Sequence, residues 1–151
     1  MAIKKRRKRK HYKTGTHRSP KCLTPIKYRS GWELVVAKYL DLDPQVQEYG
    51  YECVAINYLS NAKTGKYRTY YPDFLITYKD GTRKLAEVKR VDKLNDPMVM
   101  KKAKAAEAWC VNQKQKTTYE FWTNTMIEAL RKINEAATQT PTSSRTKKQT
   151  K

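Results

Sequence analysis

Three residues whose side chains could act together chemically lie within one stretch, YPDFLITYKDGTRKLAEVKR, at positions 71–90. Asp73 enters a first run of β-branched, aromatic and aliphatic residues, and Glu87 and Lys89 leave a second run, so both runs are predicted to be strands. Lys79-Asp80-Gly81 between the runs is typical of a hairpin turn. Two carboxylates and an ammonium group on neighbouring strands are suited to binding a divalent cation and hydrolysing a phosphodiester.

The register of this hairpin decides whether the two carboxylates meet, and two registers are open. A two-residue loop, Asp80-Gly81, places Asp73 opposite Val88, so that the carboxylates lie on different faces of the sheet. A three-residue loop, closed by Gly81 in the left-handed conformation, places Asp73 opposite Glu87. We favour the three-residue loop.

Directly opposed carboxylates repel each other and destabilise a strand pair unless a positive charge lies between them. Oxygen ligands with no His or Cys nearby suit a hard ion such as Mg²⁺, with Mn²⁺ as a substitute. Lys89 lies two residues after Glu87, so strand alternation points it to the same face, where it could orient a water or offset charge on a phosphate. The alternative is that Asp73 is a turn residue after Pro72, while the other two are solvated charges.

The chain offers no obvious covalent nucleophile, because no Ser or Cys is placed beside a suitable base. Direct attack by a metal-activated water is therefore the simpler hypothesis.

The element that precedes the strands is predicted to be an amphipathic helix. Its apolar stripe has helical spacing and consists of Trp32, Val35, Val36, Tyr39 and Leu40. Ser30 and Glu33 match a capping box, in which the glutamate bonds back to the serine amide. On spacing alone, this structural role explains Glu33.

The other elements follow from local patterns. Residues 46–58 read as one interrupted strand, and residues 67–71 lead into the hairpin. Asp96-Pro97 predicts the start of a second helix, whose apolar face comprises Val99, Ala103, Ala106 and Cys110. Residues 118–122 form a short strand, and Asn124 caps a last helix whose inward side chains are Ile127, Leu130 and Ile133. The order helix, three strands, helix, strand, helix predicts an α/β fold with a mixed sheet flanked by helices.

The distribution of charge divides the chain into three parts. The 151 residues carry a net charge of +19, yet residues 1–29 and 145–151 contain no acid and hold 16 of the 33 Lys and Arg residues. We predict a disordered basic arm at 1–27, a globular domain at 28–137 and a disordered polar and basic tail at 138–151. His11 and His17 in the arm are expected to be solvated. Basic arms on a nearly balanced body suit a protein that binds nucleic acid.

Two basic clusters are predicted to contact DNA. The first, in the N-terminal arm, consists of Lys4, Lys5, Arg6, Arg7, Lys8, Arg9 and Lys10. Its alternative is a nuclear address. The second, on the second helix, consists of Lys101, Lys102 and Lys104. Its alternative is an ordinary solvated helix face.

Cysteine content and hydropathy exclude several classes of protein. Three cysteines, an odd number with no close pair, argue against a disulfide framework and for a reducing cytosol. The start, MAIKKRRKRK, lacks the apolar stretch of a signal peptide, and no segment approaches about 18 consecutive apolar residues. We expect a soluble protein with neither a membrane partner nor a small-molecule cofactor.

The catalytic residues carry a resemblance to a known superfamily. Pro72-Asp73 followed by Glu87-Val88-Lys89 resembles the signature of the PD-(D/E)xK nucleases. Across residues 28–130, the chain is similar to the head-completion nucleases of tailed phages and, more distantly, to the endonuclease subunit of heteromeric transposases. The blocks that carry this similarity are YRSGWE, DLDPQVQEY, YYPDFLITYKDG, LAEVKR, AEAWC and FWTN. The resemblance implies a restriction-endonuclease-like αβββαβ core.

The resemblance also implies roles for individual residues. Asp73 and Glu87 would hold Mg²⁺, with the backbone carbonyl of Val88 as a further ligand. Lys89 would position water or stabilise the transition state, and Glu33 would be an auxiliary ligand besides capping its helix.

The implied activity is that of a Mg²⁺-dependent endodeoxyribonuclease that acts on packaged DNA during phage head completion. Its partners would be DNA and portal-proximal head or neck proteins, and its location the host cytoplasm during assembly and then the virion. Two alternatives remain open: a non-catalytic DNA-binding head or neck protein on the same fold, and a recombination or transposon-end nuclease that needs a recombinase partner.

Overall fold

The computed structural model describes residues 13–139, and these form eight strands and three α-helices. In chain order they are β1 (Gly15–His17), β2 (Ile26–Tyr28), α1 (Gly31–Leu42), β3 (Val46–Tyr51), β4 (Ile56–Asn61), β5 (Lys66–Tyr70), β6 (Phe74–Tyr78), β7 (Arg83–Val88), α2 (Pro97–Val111), β8 (Thr117–Trp122) and α3 (Asn124–Thr138). A 3-10 turn, Val91–Lys93, separates β7 from α2.

A four-stranded mixed sheet in the order β3-β6-β7-β8 lies at the centre. The pairs β3/β6 and β6/β7 are antiparallel, and β7 and β8 are parallel because α2 connects them as a crossover. The β4–β5 hairpin is inserted between β3 and β6 and forms its own two-stranded sheet. The predicted α/β fold, a mixed sheet flanked by helices with an αβββαβ core, is confirmed.

The sheet separates two hydrophobic layers. On one face, Phe74, Ile76 and Trp122 pack with the buried residues of α1 and α3. On the other face, Leu85 packs with Ala106 of α2 and with the inner side of the β4–β5 hairpin. Alternation along β7 therefore points odd-numbered residues toward α2 and the hairpin, and even-numbered residues toward α1 and α3.

The starts of α1 and α2 were predicted correctly. Ser30 caps α1, and its hydroxyl accepts from the amide of Glu33 at 3.3 Å. The Glu33 carboxylate in turn accepts from the Ser30 amide at 2.9 Å, which completes the capping box. Asp96 caps α2 by accepting from the Met98 amide, with Pro97 in the first turn.

The hairpin between β6 and β7 has the favoured register. Phe74 pairs with Ala86 and Thr77 with Arg83, so the same register places Asp73 opposite Glu87. The three-residue loop ends at Gly81, whose φ of +86° is the left-handed conformation that only glycine adopts at low cost. The two-residue alternative is thereby excluded.

The prediction of one interrupted strand over residues 46–58 is wrong. The segment forms β3 and β4, which belong to different sheets. The chain turns at Glu52, whose φ is +49°. At Gly50 a Cβ atom would collide with the side chain of Cys53, so this glycine permits the close approach at the corner.

Residues 13–27 correct the predicted disordered arm, because they form a hairpin of β1 and β2 packed on the domain. Ile26 is fully buried in the core beside α1. His17 is not solvated: its Nε2 lies 2.7 Å from an Asp41 carboxylate oxygen. Lys21 donates to the carbonyls of Leu40 and Asp43, so its ammonium group satisfies the carboxyl end of α1. These anchors lie mostly in polar side chains, which hydrophobic periodicity does not detect.

Two expectations for α3 are also wrong. Thr123, not Asn124, is the N-cap, and the Asn124 side chain instead accepts from the Val91 amide at 3.0 Å. Ile127 and Leu130 are buried as expected, whereas Ile133 is 49% exposed, because the buried face of the helix ends one turn earlier. The helix continues to Thr138, one residue beyond the predicted end of the domain.

The predicted DNA contacts from Lys4 to Lys10 and the tail beyond residue 139 lie outside the described residues. Between residues 13 and 139, no helix has both the length and the apolar character needed to cross a bilayer.

Candidate active site

Asp73 and Glu87 meet where β6 begins and β7 ends. An Asp73 carboxylate oxygen accepts from the Val88 amide at 2.7 Å, and the Asp73 amide donates to Glu87 Oε2 at 3.3 Å. Each acid is thus held by the backbone of the strand that carries the other acid. The hairpin register predicted from the sequence brings the two carboxylates to one place.

Glu87 is buried and has a side-chain partner, Tyr70, that the sequence did not suggest. The Tyr70 hydroxyl donates to Glu87 Oε2 at 2.7 Å, and it also lies 3.0 Å from the Tyr119 hydroxyl. Lys89 Nζ lies 3.6 Å from Glu87 Oε1 on the same side of the strand, as alternation predicted. One carboxylate therefore contacts a phenol on one side and an ammonium group on the other.

Burial raises the pKa of both acids. The pKa of Asp73 lies well above its ordinary value, first because the carboxyl is desolvated and next because Glu87 is close. Burial also raises the pKa of Glu87, although the hydrogen bond from Tyr70 and the charge of Lys89 act in the opposite direction. Neither carboxylate is fully neutralised by the cationic groups around it.

Glu33 reaches the same place from α1. Its Oε2 accepts from the Arg29 and Ser30 amides, and its Oε1 accepts from the Tyr51 hydroxyl at 3.2 Å. The helix cap thus orients the side chain toward the start of β6. The capping role that spacing predicted for Glu33 coexists with a position beside Asp73.

Glu52 is a fourth acid, which the sequence analysis missed. Its amide donates to the Asp73 carbonyl at 2.9 Å, so Glu52, Asp73 and Glu87 lie in one row across β3, β6 and β7. Its carboxylate pairs with the exposed guanidinium of Arg29 at 2.7 Å. The pairing of β3 with β6 was the missing information, because it alone places residue 52 beside residue 73.

The acids are suited to a hard divalent cation. Glu33, Glu52 and Asp73 each present a carboxylate oxygen, and these three atoms lie within 4.8 Å of one another. Oxygen donors at such separations could hold a hard cation, whereas Glu87 lies outside this group of three and pairs with Lys89. The ligand roles of Asp73 and Glu87, the Val88 carbonyl and Glu33 stay predictions.

The lysines predicted on α2 have different environments. Lys102 Nζ lies 5.4 Å from the centre of the Tyr70 ring and 5.9 Å from that of Tyr58. Lys101 Nζ donates to the Ser60 carbonyl at 3.1 Å, and Lys104 is exposed. Of these three lysines, only Lys102 therefore lies close to the acids, and its charge lowers the pKa of Glu87. DNA binding by all three stays a prediction.

Comparisons with known proteins agree with this geometry. Residues 43–123, more than half of the chain, match the family described as "TnsA-like endonuclease N terminal". The segment covers β3 to β8 and contains Glu52, Asp73, Glu87 and Lys89, whereas Glu33 precedes it. The chain is also 33% identical over 73 residues to the "Head completion nuclease" of Enterobacteria phage T4. That alignment spans 48% of this chain and 48% of the phage protein, about half of each.

Proposed function

The chain belongs to the TnsA-like endonuclease family, and from this premise we propose that it is a Mg²⁺-dependent endonuclease that hydrolyses phosphodiester bonds in DNA. The observation that carries the proposal is the convergence of Asp73 and Glu87 from two strands, with Lys89 on the same side of β7. Burial of two like charges is costly unless cations compensate them, and the single charge of Lys89 offsets only part of the charge of the pair, which supports a bound divalent ion.

Each residue has a part in the proposed reaction. Asp73 and Glu87, with Glu33 and the Val88 carbonyl, would hold the ion, and Mn²⁺ would replace Mg²⁺. When bound, the ion supplies stabilisation of negative charge on the phosphate and lowers the pKa of a water ligand. The Lys89 ammonium group orients the attacking water or donates to a phosphate oxygen on which charge develops.

The hydrogen bonds around the acids keep this arrangement rigid. The Val88 amide fixes the rotamer of Asp73, and Tyr70 fixes that of Glu87 by donating to it. The capping box of α1 fixes Glu33 in the same way. The side chains are thus oriented before substrate binds, which reduces the reorganisation required during the reaction.

The biological setting that we propose is phage head completion, with packaged DNA as the substrate and with portal-proximal head or neck proteins as partners. The support for this is the similarity to the T4 head completion nuclease. The protein would be present in the host cytoplasm during assembly and afterwards in the virion.

The test is cleavage of supercoiled plasmid by the full chain with Mg²⁺, beside the variants Asp73→Ala and Lys89→Ala. Each substitution should lower the cleavage rate by about 100-fold or more, and a chelator should abolish cleavage by the native chain. Matched controls are Asp92→Ala and Lys93→Ala, because both residues are exposed on the 3-10 turn just after β7.

Equal cleavage by the native chain and by Asp73→Ala and Lys89→Ala would reject the catalytic assignment. DNA binding without cleavage by the native chain in Mg²⁺ or Mn²⁺ would instead favour the non-catalytic DNA-binding head or neck protein.

A further inference from the structure

The β4–β5 hairpin lies on the same face of the sheet as the catalytic side chains. Ile56, Tyr58 and Tyr70 on its inner side pack with Ala106 of α2 and with Leu85 of β7. Glu87 and Lys89 have the same parity as Leu85 and therefore point to this face. The hairpin and α2 together border the approach to the acids.

Strand β5 carries a row of side chains that ends at the site. Lys66, Arg68 and Tyr70 alternate along one side of the strand, and Tyr70 is the residue that donates to Glu87. Lys66 and Arg68 are exposed, and neither forms an ion pair within residues 13–139. Residues 56–70 contain no acid at all. The row therefore presents uncompensated positive charge to solvent.

Helix α2 adds a third cation beside this row. Arg68 pairs directly with Tyr58 across the hairpin, and Lys102 lies over the rings of Tyr58 and Tyr70. Lys102 also forms no ion pair among the described residues. We call Lys66, Arg68 and Lys102 the basic track: the first two lie on β5 before Tyr70, and Lys102 lies over the ring of Tyr70, whose hydroxyl contacts Glu87.

We propose that the basic track binds the sugar–phosphate backbone of DNA and guides one strand to Glu87 and Lys89. This inference rests on the proposed function, since it takes DNA as the substrate of the same site. Lys and Arg side chains that form no ion pair with acids of their own chain are the usual partners of phosphate groups. Tyr70, which contacts Glu87, lies on the same strand as Lys66 and Arg68.

The β4–β5 hairpin also links the proposed DNA-binding residues to the acids through the covalent chain. Arg68 and Tyr70 belong to one strand, and the next residues along the chain, Tyr71 and Pro72, lead directly to Asp73. Phosphate contacts at Arg68 would thus fix β5. This strand carries Tyr70, which donates to Glu87, and it leads into Asp73.

The experiment measures the affinity of a fluorescent DNA duplex at several salt concentrations, in an Asp73→Asn background that binds without cutting. The double variant Lys66→Ala/Arg68→Ala should bind more weakly, and the slope of log affinity against log salt should become shallower by about 1.8 units. The matched control is Lys38→Ala/Lys132→Ala, which removes two exposed charges from α1 and α3 on the opposite face. It should leave both quantities close to those of the background.

An unchanged affinity and slope for Lys66→Ala/Arg68→Ala would overturn the proposal. The same holds if the double variant loses affinity for polyglutamate of matched charge but not for the duplex, because the track would then bind an acidic protein surface. These outcomes are separable from failure of the proposed function, which appears as absence of cleavage by the native chain in Mg²⁺.

Discussion

The substitution Asp73→Asn should stabilise the protein when no divalent cation is present. Asparagine keeps an oxygen that accepts from the Val88 amide, but it removes one charge from a crowded acidic row. Carboxylate oxygens of Glu33, Glu52 and Asp73 lie within 4.8 Å of one another, and at that separation two full charges repel by about 3.5 kcal/mol at an effective dielectric constant of about 20. Because Arg29 and Lys89 offset part of this repulsion, we expect a net gain of about 2 kcal/mol, or about 7 °C in the unfolding temperature.

The gain should depend on pH in a defined direction. The pKa of Asp73 is raised in the folded chain, so the folded state binds the proton more tightly than the unfolded state does. The native carboxyl therefore contributes stability at low pH, and this contribution is lost as pH rises through the folded pKa. Asp73→Asn should match the native chain near pH 4 and exceed it at pH 8.

The assay is thermal unfolding in chelator at both pH values, and again with excess Mg²⁺. Mg²⁺ should stabilise the native chain much more than Asp73→Asn, since binding to the folded state raises its stability. The control is Asp92→Asn, which alters an exposed acid paired with Arg90 on the surface and should change stability by less than about 0.5 kcal/mol. A lower unfolding temperature for Asp73→Asn than for the native chain at pH 8 in chelator would refute the reasoning.

Three further predictions follow from individual contacts. Glu33→Gln should keep the capping hydrogen bonds yet weaken ion binding measured by calorimetry. Glu33→Ala should also lower the free energy of unfolding, measured by chemical denaturation, by about 1 kcal/mol. Equal ion affinity for Glu33→Gln and the native chain would contradict this. Tyr70→Phe removes a hydrogen bond that lowers the pKa of Glu87, so the acidic limb of the pH profile of the DNA cleavage rate should move to higher pH. An unshifted limb would argue against the contact. Ile26→Ala should cost about 2–5 kcal/mol of unfolding free energy, because Ile26 is fully buried; a loss below about 1 kcal/mol would mean that β2 contributes little to the core.

Much of the candidate site could be predicted because its determinants are local. The conformation of Gly81 decides the length of one turn, and that turn decides whether Asp73 faces Glu87. Strand alternation then places Lys89 on the side of Glu87 without further information. Ser30 and Glu33 define the start of α1 in the same way, from four consecutive residues.

Other parts of the site arise from contacts that no local pattern specifies. Glu52 joins the acids only because β3 pairs with β6 across an inserted hairpin, and its position depends on a backbone turn with positive φ. Tyr70 reaches Glu87 only because the β4–β5 hairpin packs on α2, which brings its hydroxyl to Tyr119, 49 residues later in the chain.

The sequence by itself thus determined the starts of α1 and α2 at their caps, the hairpin register and the meeting of Asp73, Glu87 and Lys89. Each depends on hydrogen bonds or steric limits between residues close in the chain. The tertiary structure alone decided that residues 13–27 fold onto α1, that Glu52 and Tyr70 belong to the site, and that Ile133 remains exposed. The physical reason is that burial and long-range pairing depend on which distant elements cover a residue, and residue types along the chain do not encode this locally.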